Sequence, residues 1–404
     1  MDIENNSNDV TIDNPEEQKP RKSRGFKIFI AIFLILCFLA FSTLAAGVIY
    51  LKKNINFRYN EITSKPKELG FEEIKSDEIV NIALFGIDTT NPNSFKGRSD
   101  SIMILSLNKT TDKIKLISVL RDSFVPIERK GWTDFSKINS AYSKGGPELA
   151  IKTLNEVFDL DISEYATVNF YGMADIIDTM GGVDVTVTEA EVDYINYGVI
   201  EQCKKKGLDP EDYKVKKSGT QRLYGIQAVS YSRIRYVSNA EGTANDYGRT
   251  DRQRYVLTQL FKGVKSKSKA EYFTLIKALS PYCETSLTEW EILKLAVEVL
   301  IGNPVLEETR IPSPEYLMSP PKVDAGAITY YDLNFAANLI HAFIYENVTP
   351  ETFIQLSGIE KNNWYSAGYQ KPEIISYKQR KAEAENSQNK TSAEQTASAD
   401  NKQE

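Results

Sequence analysis

Hydrophobic residues along this chain fall into three patterns. From Ile28 to Leu51 they run without a charged residue. At 1.5 Å per residue, a helix of that stretch reaches roughly 36 Å, enough to cross a bilayer with some tilt. Lys19, Arg21, Lys22, Arg24 and Lys27 precede it, which by the positive-inside rule keeps the N-terminus in the cytoplasm and places the rest of the chain outside. Lys52-Lys53 follows instead of a small-residue cleavage site, so a retained anchor is expected rather than a cleaved signal peptide.

The second pattern is short and strand-like. Ile79 to Phe85 is one such run, stopped by Gly86. Ser101 to Leu107 and Lys113 to Leu120 read as a hairpin across the turn-forming residues 108–112, and Val183, Val185 and Val187 alternate. Ala228 to Ile234 reads as a further strand. The third pattern is helical. Leu149, Ala150, Leu154, Val157 and Phe158 recur at helical spacing after Pro147. Tyr171 to Met180 reads as a helix stopped by Gly181-Gly182, Asp251 to Lys265 as another. Thr288 and Glu291 form a capping box before a helix through Leu300.

Strands and helices alternate, so the expected fold is α/β, a three-layer α/β/α-like domain with a central mixed sheet, preceded by one N-terminal transmembrane helix. Residues 1–27 read as a disordered cytoplasmic tail, 28–51 as the membrane helix and 52–78 as a charged extracellular stalk. The domain is expected over 79–350, with an irregular lysine-rich loop at 189–217. Residues 351–404 read as an extension, disordered from about 378.

Composition narrows the chemistry. At 404 residues and 41% hydrophobic, the chain holds one large or two moderate domains. A net charge of -6 gives no general case for nucleic acid. With one histidine, His341, and no CxxC among Cys37, Cys203 and Cys283, neither a zinc site nor a histidine triad is expected. Cys203 and Cys283 both fall outside the membrane, where pairing is open to them.

The cations are unevenly distributed. Between Ser218 and Phe261 stand Arg222, Arg233, Arg235, Arg249, Arg252 and Arg254, with no lysine. Arginine's planar fork grips phosphate bidentately, whereas lysine is a point charge. Further charged groups stand at strand ends, where α/β sheets place their sites: Asp88, Arg98 with Asp100, and Arg121-Asp122. Asp88 and Asp100 are a candidate pair for a hard divalent cation, or else a turn cap and an arginine partner. On a strand, Arg233 and Arg235 would share a face; on a helix, Arg249 and Arg252 would.

Eight stretches in order now carry a resemblance. They are Leu84-Phe85-Gly86-Ile87-Asp88, Gly97-Arg98-Ser99-Asp100-Ser101-Ile102-Met103, Ser118-Val119-Leu120-Arg121-Asp122-Ser123 and Lys137-Ile138-Asn139-Ser140-Ala141-Tyr142. Gly145-Gly146-Pro147-Glu148, Gly181-Gly182-Val183-Asp184-Val185, Tyr231-Ser232-Arg233-Ile234-Arg235-Tyr236 and Asp246-Tyr247-Gly248-Arg249-Thr250-Asp251-Arg252-Gln253 complete the set. Over residues 79–262 the chain resembles the LytR-CpsA-Psr family of membrane-anchored cell-envelope transferases. The resemblance implies transfer of a phosphate-linked glycopolymer (teichoic acid, capsule or similar) from a polyprenyl pyrophosphate lipid to a peptidoglycan hydroxyl. It implies Mg2+ (or Mn2+) on Asp88 and Asp100, and an apolar pocket between sheet and helices for the lipid tail. Pyrophosphate is expected on Arg98, Arg121, Lys137, Arg233, Arg235, Arg249, Arg252 and Gln253, with Arg121, Asp122, Asp246 and Arg249 nearest the reaction. Asp246 is the first candidate to accept the acceptor's proton, and Asp122 the second, its other reading being a partner that orients Arg121. Arg222 and Arg254 are assigned to structural pairs. Three other functions compete: a membrane-bound regulator or transcription attenuator, a polyprenyl pyrophosphate phosphatase, and a wall-binding lectin. Residues 1–27 are too short for a helix-turn-helix unit, which weighs against direct DNA control.

Overall fold

The computed structural model describes residues 58–383, apart from 90, 92, 267, 268 and 303, together with residue 386. The expected tail at 1–27 and membrane helix at 28–51 lie outside the described residues.

The strands are β1 (Arg58–Tyr59), β2 (Ile79–Asp88), β3 (Arg98–Asn108), β4 (Lys113–Val119), β5 (Phe124–Arg129), β6 (Trp132–Lys137), β7 (Glu164–Asn169), β8 (Val183–Val187), β9 (Gly219–Leu223), β10 (Cys283–Thr285) and β11 (Val305–Ile311). The helices are α1 (Asn139–Phe158), α2 (Phe170–Thr179), α3 (Glu189–Lys206), α4 (Gly225–Ser232), α5 (Asn245–Lys265), α6 (Lys269–Leu279), α7 (Glu289–Gly302), α8 (Leu333–Glu346), α9 (Pro350–Ser357) and α10 (Trp364–Ala367).

Seven strands form one sheet in the order β1-β10-β7-β2-β3-β4-β11. β2 runs parallel to β7 and antiparallel to β3, so the sheet is mixed. The 79–85 run and the 101–120 hairpin are its centre. Alternation along β2 divides the faces. Ala83, Phe85 and Ile87 join a core with Leu154 and Phe158 of α1 and Phe335, Leu339 and Phe343 of α8. Ile82 and Leu84 face the other way, toward Leu257 and Phe261 of α5, Leu275 of α6 and Leu295 of α7. Helices therefore cover both faces. A second cluster joins Ile177, Val185, Ile195, Val199, Val229 and Val256, packing α2, α3, α4 and α5 around the β8-β9 hairpin.

Four local expectations are corrected. The stretch 189–217 is not an irregular loop. It opens with the 18-residue α3, where Thr188 and Glu191 make a capping box and three lysines sit in the last turn, each favourable to a helix. Residues 228–234 are not a strand: α4 spans Gly225–Ser232, and Gln227 caps the backbone N–H of Tyr224 at 3.0 Å. Its β-branched and aromatic residues suited a strand, but burial of Ile226, Val229 and Ser230 follows a helical period. Residues 58–78 are not a free stalk, because β1 adds to the sheet and Leu69 and Phe71 are buried in the core. Nor is the chain disordered at 378: residues 377–383 are helical, and Arg380 reaches Glu360 at 3.0 Å. Helix α1 also starts eight residues before Pro147, with a break at Gly145 and Gly146, whose φ of 68° favours glycine.

His341 is structural, with Nε2 2.6 Å from the carbonyl of Asp159. Cys203 and Cys283 are both free.

One buried acid makes the fold's stability depend on pH. Burial pushes the Glu156 carboxyl of α1 from 4.5 up to about 7, while Lys152 at 3.5 Å pulls the other way and Glu128 adds to the rise. The folded state thus holds this proton more tightly than the unfolded chain does. Its contribution is complete below about 4.5 and is lost as pH rises through about 7. Glu156→Gln is expected to remove that loss, so thermal unfolding of variant and parent should diverge between pH 5 and 8, with the variant higher at pH 8. Parallel curves would contradict the assignment.

Candidate active site

The sheet brings the charged strand ends to one edge. β2 ends where β3 begins, with Asp88 opposite Arg98. Gly97 makes this junction possible, since a Cβ there would lie 2.6 Å from the Asp88 carbonyl oxygen. β4 ends beside them at Val119, and Arg121-Asp122 follow after Leu120. The helical side supplies the rest. Arg233 and Arg235 lie just past the end of α4, flanking the buried Ile234. α5 begins at Asn245, six residues earlier than its sequence periodicity indicates, so Asp246 and Arg249 lie in its first turns. The segment from Arg235 to Asp246 is closed at its base, where the N–H of Asn245 donates to the Arg235 carbonyl at 2.7 Å.

These groups form one ionic network. Asp100 Oδ2 accepts from Arg121 at 2.8 Å and lies 3.7 Å from Arg249 and 3.9 Å from Arg235. Asp246 lies 3.3 Å from Arg249 and 3.6 Å from both Arg121 and Arg235. Asp122 lies 3.2 Å from Lys137 and 3.7 Å from Arg121. Carboxylates thus separate three guanidiniums that would otherwise repel, and fix their directions before any ligand arrives. Burial pushes the Arg249 guanidinium, whose side chain is only 4% exposed, down to about 10; Asp246 opposes this and Arg121 and Arg235 add to it. It remains charged at neutral pH. For Arg121, burial acts downward too, but Asp100 and Asp246 outweigh it and hold the value above its ordinary one. The Nε atoms of Arg121 and Arg249 are both buried without a hydrogen-bond acceptor. Such donors carry a desolvation penalty that an anionic ligand would relieve.

The network borders two cavities. A polar cleft of about 240 Å³ is lined by Asp88, Asp100, Arg233, Arg235, Arg249 and Gln253. An apolar cavity of about 220 Å³ is lined by Leu84, Phe85, Met173, Val256, Leu257 and Leu260. Phe170 and Gln253 line both. A third, apolar cavity of about 430 Å³ shares Leu84, Ala166 and Leu257 with the second and extends under α6 and α7. The result is a continuous strip of lining residues, apolar at one end and cationic at the other. Arg121, Asp122, Lys137 and Asp246 flank the cleft, joined to it through Asp100 and Arg249.

Arg252 does not belong to the cleft. Helix geometry turns it about 60° from Arg249, and both it and Glu191 of α3 are fully buried. Its Nε donates to Glu191 at 2.7 Å, and its two terminal nitrogens donate to the carbonyls of Ile234 and Val237 at 3.1 and 2.9 Å. All three of its nitrogens are thus engaged inside the protein, and it does not line the cleft. Arg252 instead holds the segment that carries Arg235. Glu191 was not legible as its partner because the capping box alone accounts for an acid there. Two other contributors escape a reading by motif: Glu201, 3.5 Å from Arg233, and Phe170, whose ring lies 4.8 Å beneath the Arg233 guanidinium. Arg222 pairs with Asp184 at 2.6 Å, and Arg254 with Asp251 and Glu308 at 2.8 and 2.9 Å, the structural pairs expected of them.

The residues fit a divalent cation. Asp88 is exposed at the cleft, and no hydrogen bond or ion pair reaches its side chain from the described residues. All contacts to Asp100 fall on Oδ2, so Oδ1 keeps its lone pairs. Among the described residues no cluster of three or more ligand-type side chains exists. Two carboxylates are what magnesium ordinarily takes when phosphate oxygens and water complete its shell.

Comparison with known proteins agrees with the motifs. The model of the LytR_cpsA_psr family matches residues 47–337. The chain is 30% identical over 281 residues to the polyisoprenyl-teichoic acid–peptidoglycan teichoic acid transferase TagU of Enterococcus faecalis, covering 68% of this chain and 84% of that protein. It is 29% identical over 286 residues to biofilm regulatory protein A of Streptococcus mutans, covering 68% of this chain and 66% of that one. The fold is similar to that of Bacillus subtilis TagV, with a TM-score of 0.50 and 24% identity over 67% of this chain and 98% of that one. It is also similar to TagT bound to LIIa-WTA, with a TM-score of 0.51 and 22% identity over 71% of this chain and 99% of that one.

Proposed function

This chain belongs to the LytR_cpsA_psr family, and from that premise we propose that it moves a phosphate-linked glycopolymer, teichoic acid or a similar glycan, from a polyprenyl pyrophosphate carrier to a hydroxyl of peptidoglycan. The observation that carries this reading is the meeting of the apolar cavity with the arginine cleft at Phe170 and Gln253. An alkyl chain ending in pyrophosphate has that same order of apolar and anionic parts. The name of the TagU relative supports the teichoic acid class. A regulatory role is suggested by the names of another relative and of a similar structure, but it leaves the buried, unsatisfied guanidinium nitrogens without a purpose.

In the proposed reaction the acceptor hydroxyl oxygen attacks the phosphorus that carries the glycan. The bond from that phosphorus to the bridging oxygen breaks. A phosphodiester joins glycan to wall, and polyprenyl monophosphate leaves. Such transfers depend on positioning and charge neutralisation more than on covalent help from the protein. Arg233, Arg235 and Arg249 hold the phosphates from the cleft, Arg98 from its exposed place opposite Asp88, and Arg121 and Lys137 from the cleft's flank. Gln253 holds the junction with the lipid. Asp246, already engaged by three guanidiniums, sets their directions. Asp122, engaged by two cations, Lys137 and Arg121, where Asp246 has three, takes the acceptor's proton, which reverses the order indicated by motif alone. Magnesium, or manganese, on Asp88 and Asp100 would neutralise charge on the pyrophosphate. Residues 28–51 anchor the chain in the cell membrane, with the N-terminus in the cytoplasm and the catalytic domain outside.

The full-length protein in detergent is expected to release polyprenyl monophosphate from a glycan-bearing pyrophosphate lipid when magnesium and peptidoglycan are present. Asp88→Asn with Asp100→Asn is expected to lose this release, as is the parent in chelator. Full activity in chelator would remove the metal from the account. No release under any condition would remove the reaction.

A further inference from the structure

Three tyrosines line the polar cleft but not the apolar cavity: Tyr194, Tyr197 and Tyr236. They are 39%, 75% and 77% exposed. Other exposed rings, such as Trp132, Trp290 and Tyr224, do not line it. The first two stand one turn apart on α3, on the same side as Glu201, and Tyr236 follows Arg235 directly. Tyr194 and Tyr236 lie 6.3 Å apart between ring centroids, at 39°. Within the described residues no hydrogen bond engages any of the three hydroxyls.

The placement is built into the packing. Gly198 sits between Tyr197 and Val199 at the point where α3 meets α4. A Cβ there would lie 2.9 Å from both Cβ and Oγ of Ser230. Only glycine lets the helices approach this closely, and the approach brings the tyrosine face of α3 to the cleft. On α5, Arg252 grips the carbonyls of Ile234 and Val237, the residues that bracket Arg235 and Tyr236. A guanidinium and a ring are thereby fixed side by side.

We propose that Tyr194, Tyr197 and Tyr236 form a stacking platform for the saccharide next to the donor's phosphate, which makes them the residues that distinguish a glycan-bearing lipid from a bare pyrophosphate lipid. This rests on the proposed pyrophosphate reading of the cleft and extends it. A pyranose presents weakly positive C–H groups on its faces and hydroxyls around its rim. Aromatic faces are negative, so they attract the former, and free phenolic hydroxyls can bond the latter. A peptide or a lipid would satisfy the rings but would not require the hydroxyls to be unpaired. The lining then runs in the chemical order of the donor: alkyl, pyrophosphate, sugar.

The test compares two short lipids on the full-length protein in detergent with magnesium. One is farnesyl pyrophosphate; the other is the same lipid with N-acetylglucosamine joined to its terminal phosphate. The parent is expected to bind the sugar-bearing lipid about tenfold more tightly, or better. Tyr197→Ala with Tyr236→Ala is expected to abolish this preference while leaving farnesyl pyrophosphate affinity within about twofold of the parent's. Tyr197→Phe with Tyr236→Phe should restore most of it, since the rings remain. If the parent binds both lipids equally, or the alanine variant keeps the preference, the platform is refuted and the pyrophosphate reading stands. If the alanine variant loses both lipids equally, the tyrosines support the cleft rather than read the sugar, and the proposal fails. If the parent binds neither lipid, the pyrophosphate reading fails and the platform with it.

Discussion

Arg121→Lys is expected to lower turnover about 10²–10³-fold, the scale seen when one preorganised donor to a developing charge is removed. The charge survives this substitution; the geometry does not. Arg121 reaches Asp100 through a terminal nitrogen at 2.8 Å, and its Nε lies between Asp122 at 3.7 Å and Asp246 at 3.6 Å. One lysine ammonium cannot span these three carboxylates, so the network that aims Arg249 and Arg235 loosens as well. Its effect should fall on kcat, and unfolding of the variant should match the parent. Parental turnover by a folded Arg121→Lys protein would mean that charge alone suffices and that the fork has no role.

Breaking the pair between Glu191 and Arg252 is expected to have the largest effect on stability. Both side chains are fully buried, and removing one partner strands the other without water. Losses of about 3–5 kcal/mol are typical of such a break. Arg252→Met also frees the carbonyls of Ile234 and Val237, so it should be the more damaging of the two single changes. Glu191→Gln keeps a hydrogen-bond acceptor but leaves the guanidinium charge uncompensated. Denaturant titration measures both. Because the same pair holds the Arg235 segment, transfer should fall in either variant even under conditions where it stays folded. A loss below about 1 kcal/mol, the range of exposed pairs, would contradict the burial assigned to it.

Much of this was legible in the sequence, for physical reasons. Strand runs such as 79–85 are apolar but for the buried Asn81 because both faces of β2 are covered, and the hairpin turn at 108–112 is polar and short. Charged residues at the ends of such runs must lie at one sheet edge, and Asp88, Asp100 and Arg121 do. Periodicity failed where a segment is short or its faces have different partners. Helix α4 is eight residues of strand-prone composition, and only the Gln227 cap and the packing of its neighbours decide it. Helix α3 is amphipathic in an unusual sense: its buried face contains Glu191 and Gln202, and its outer face contains tyrosines. Read by hydrophobicity, it looks irregular. Arg252 reads as a phosphate ligand in sequence because it stands three positions after Arg249. A 60° turn of the helix is enough to send one into the cleft and the other into the core.

The same division clarifies the arginine-rich stretch as a whole. Arg233, Arg235 and Arg249 line the cleft. Arg252 fixes the backbone behind them, and Arg222 and Arg254 hold the surface. A stretch without lysine therefore serves two ends, both of which suit a planar, permanently charged fork: one set lines the polar cleft, and one member locks the segment that presents that set.

The most direct measurement of the central claim is a single incubation. Full-length protein in vesicles is supplied with a polyprenyl pyrophosphate-linked glycan, peptidoglycan and magnesium, and both products are followed. Polyprenyl monophosphate is expected to appear in step with glycan covalently joined to the peptidoglycan. Release of lipid monophosphate with no glycan on the wall would contradict it and identify a phosphatase.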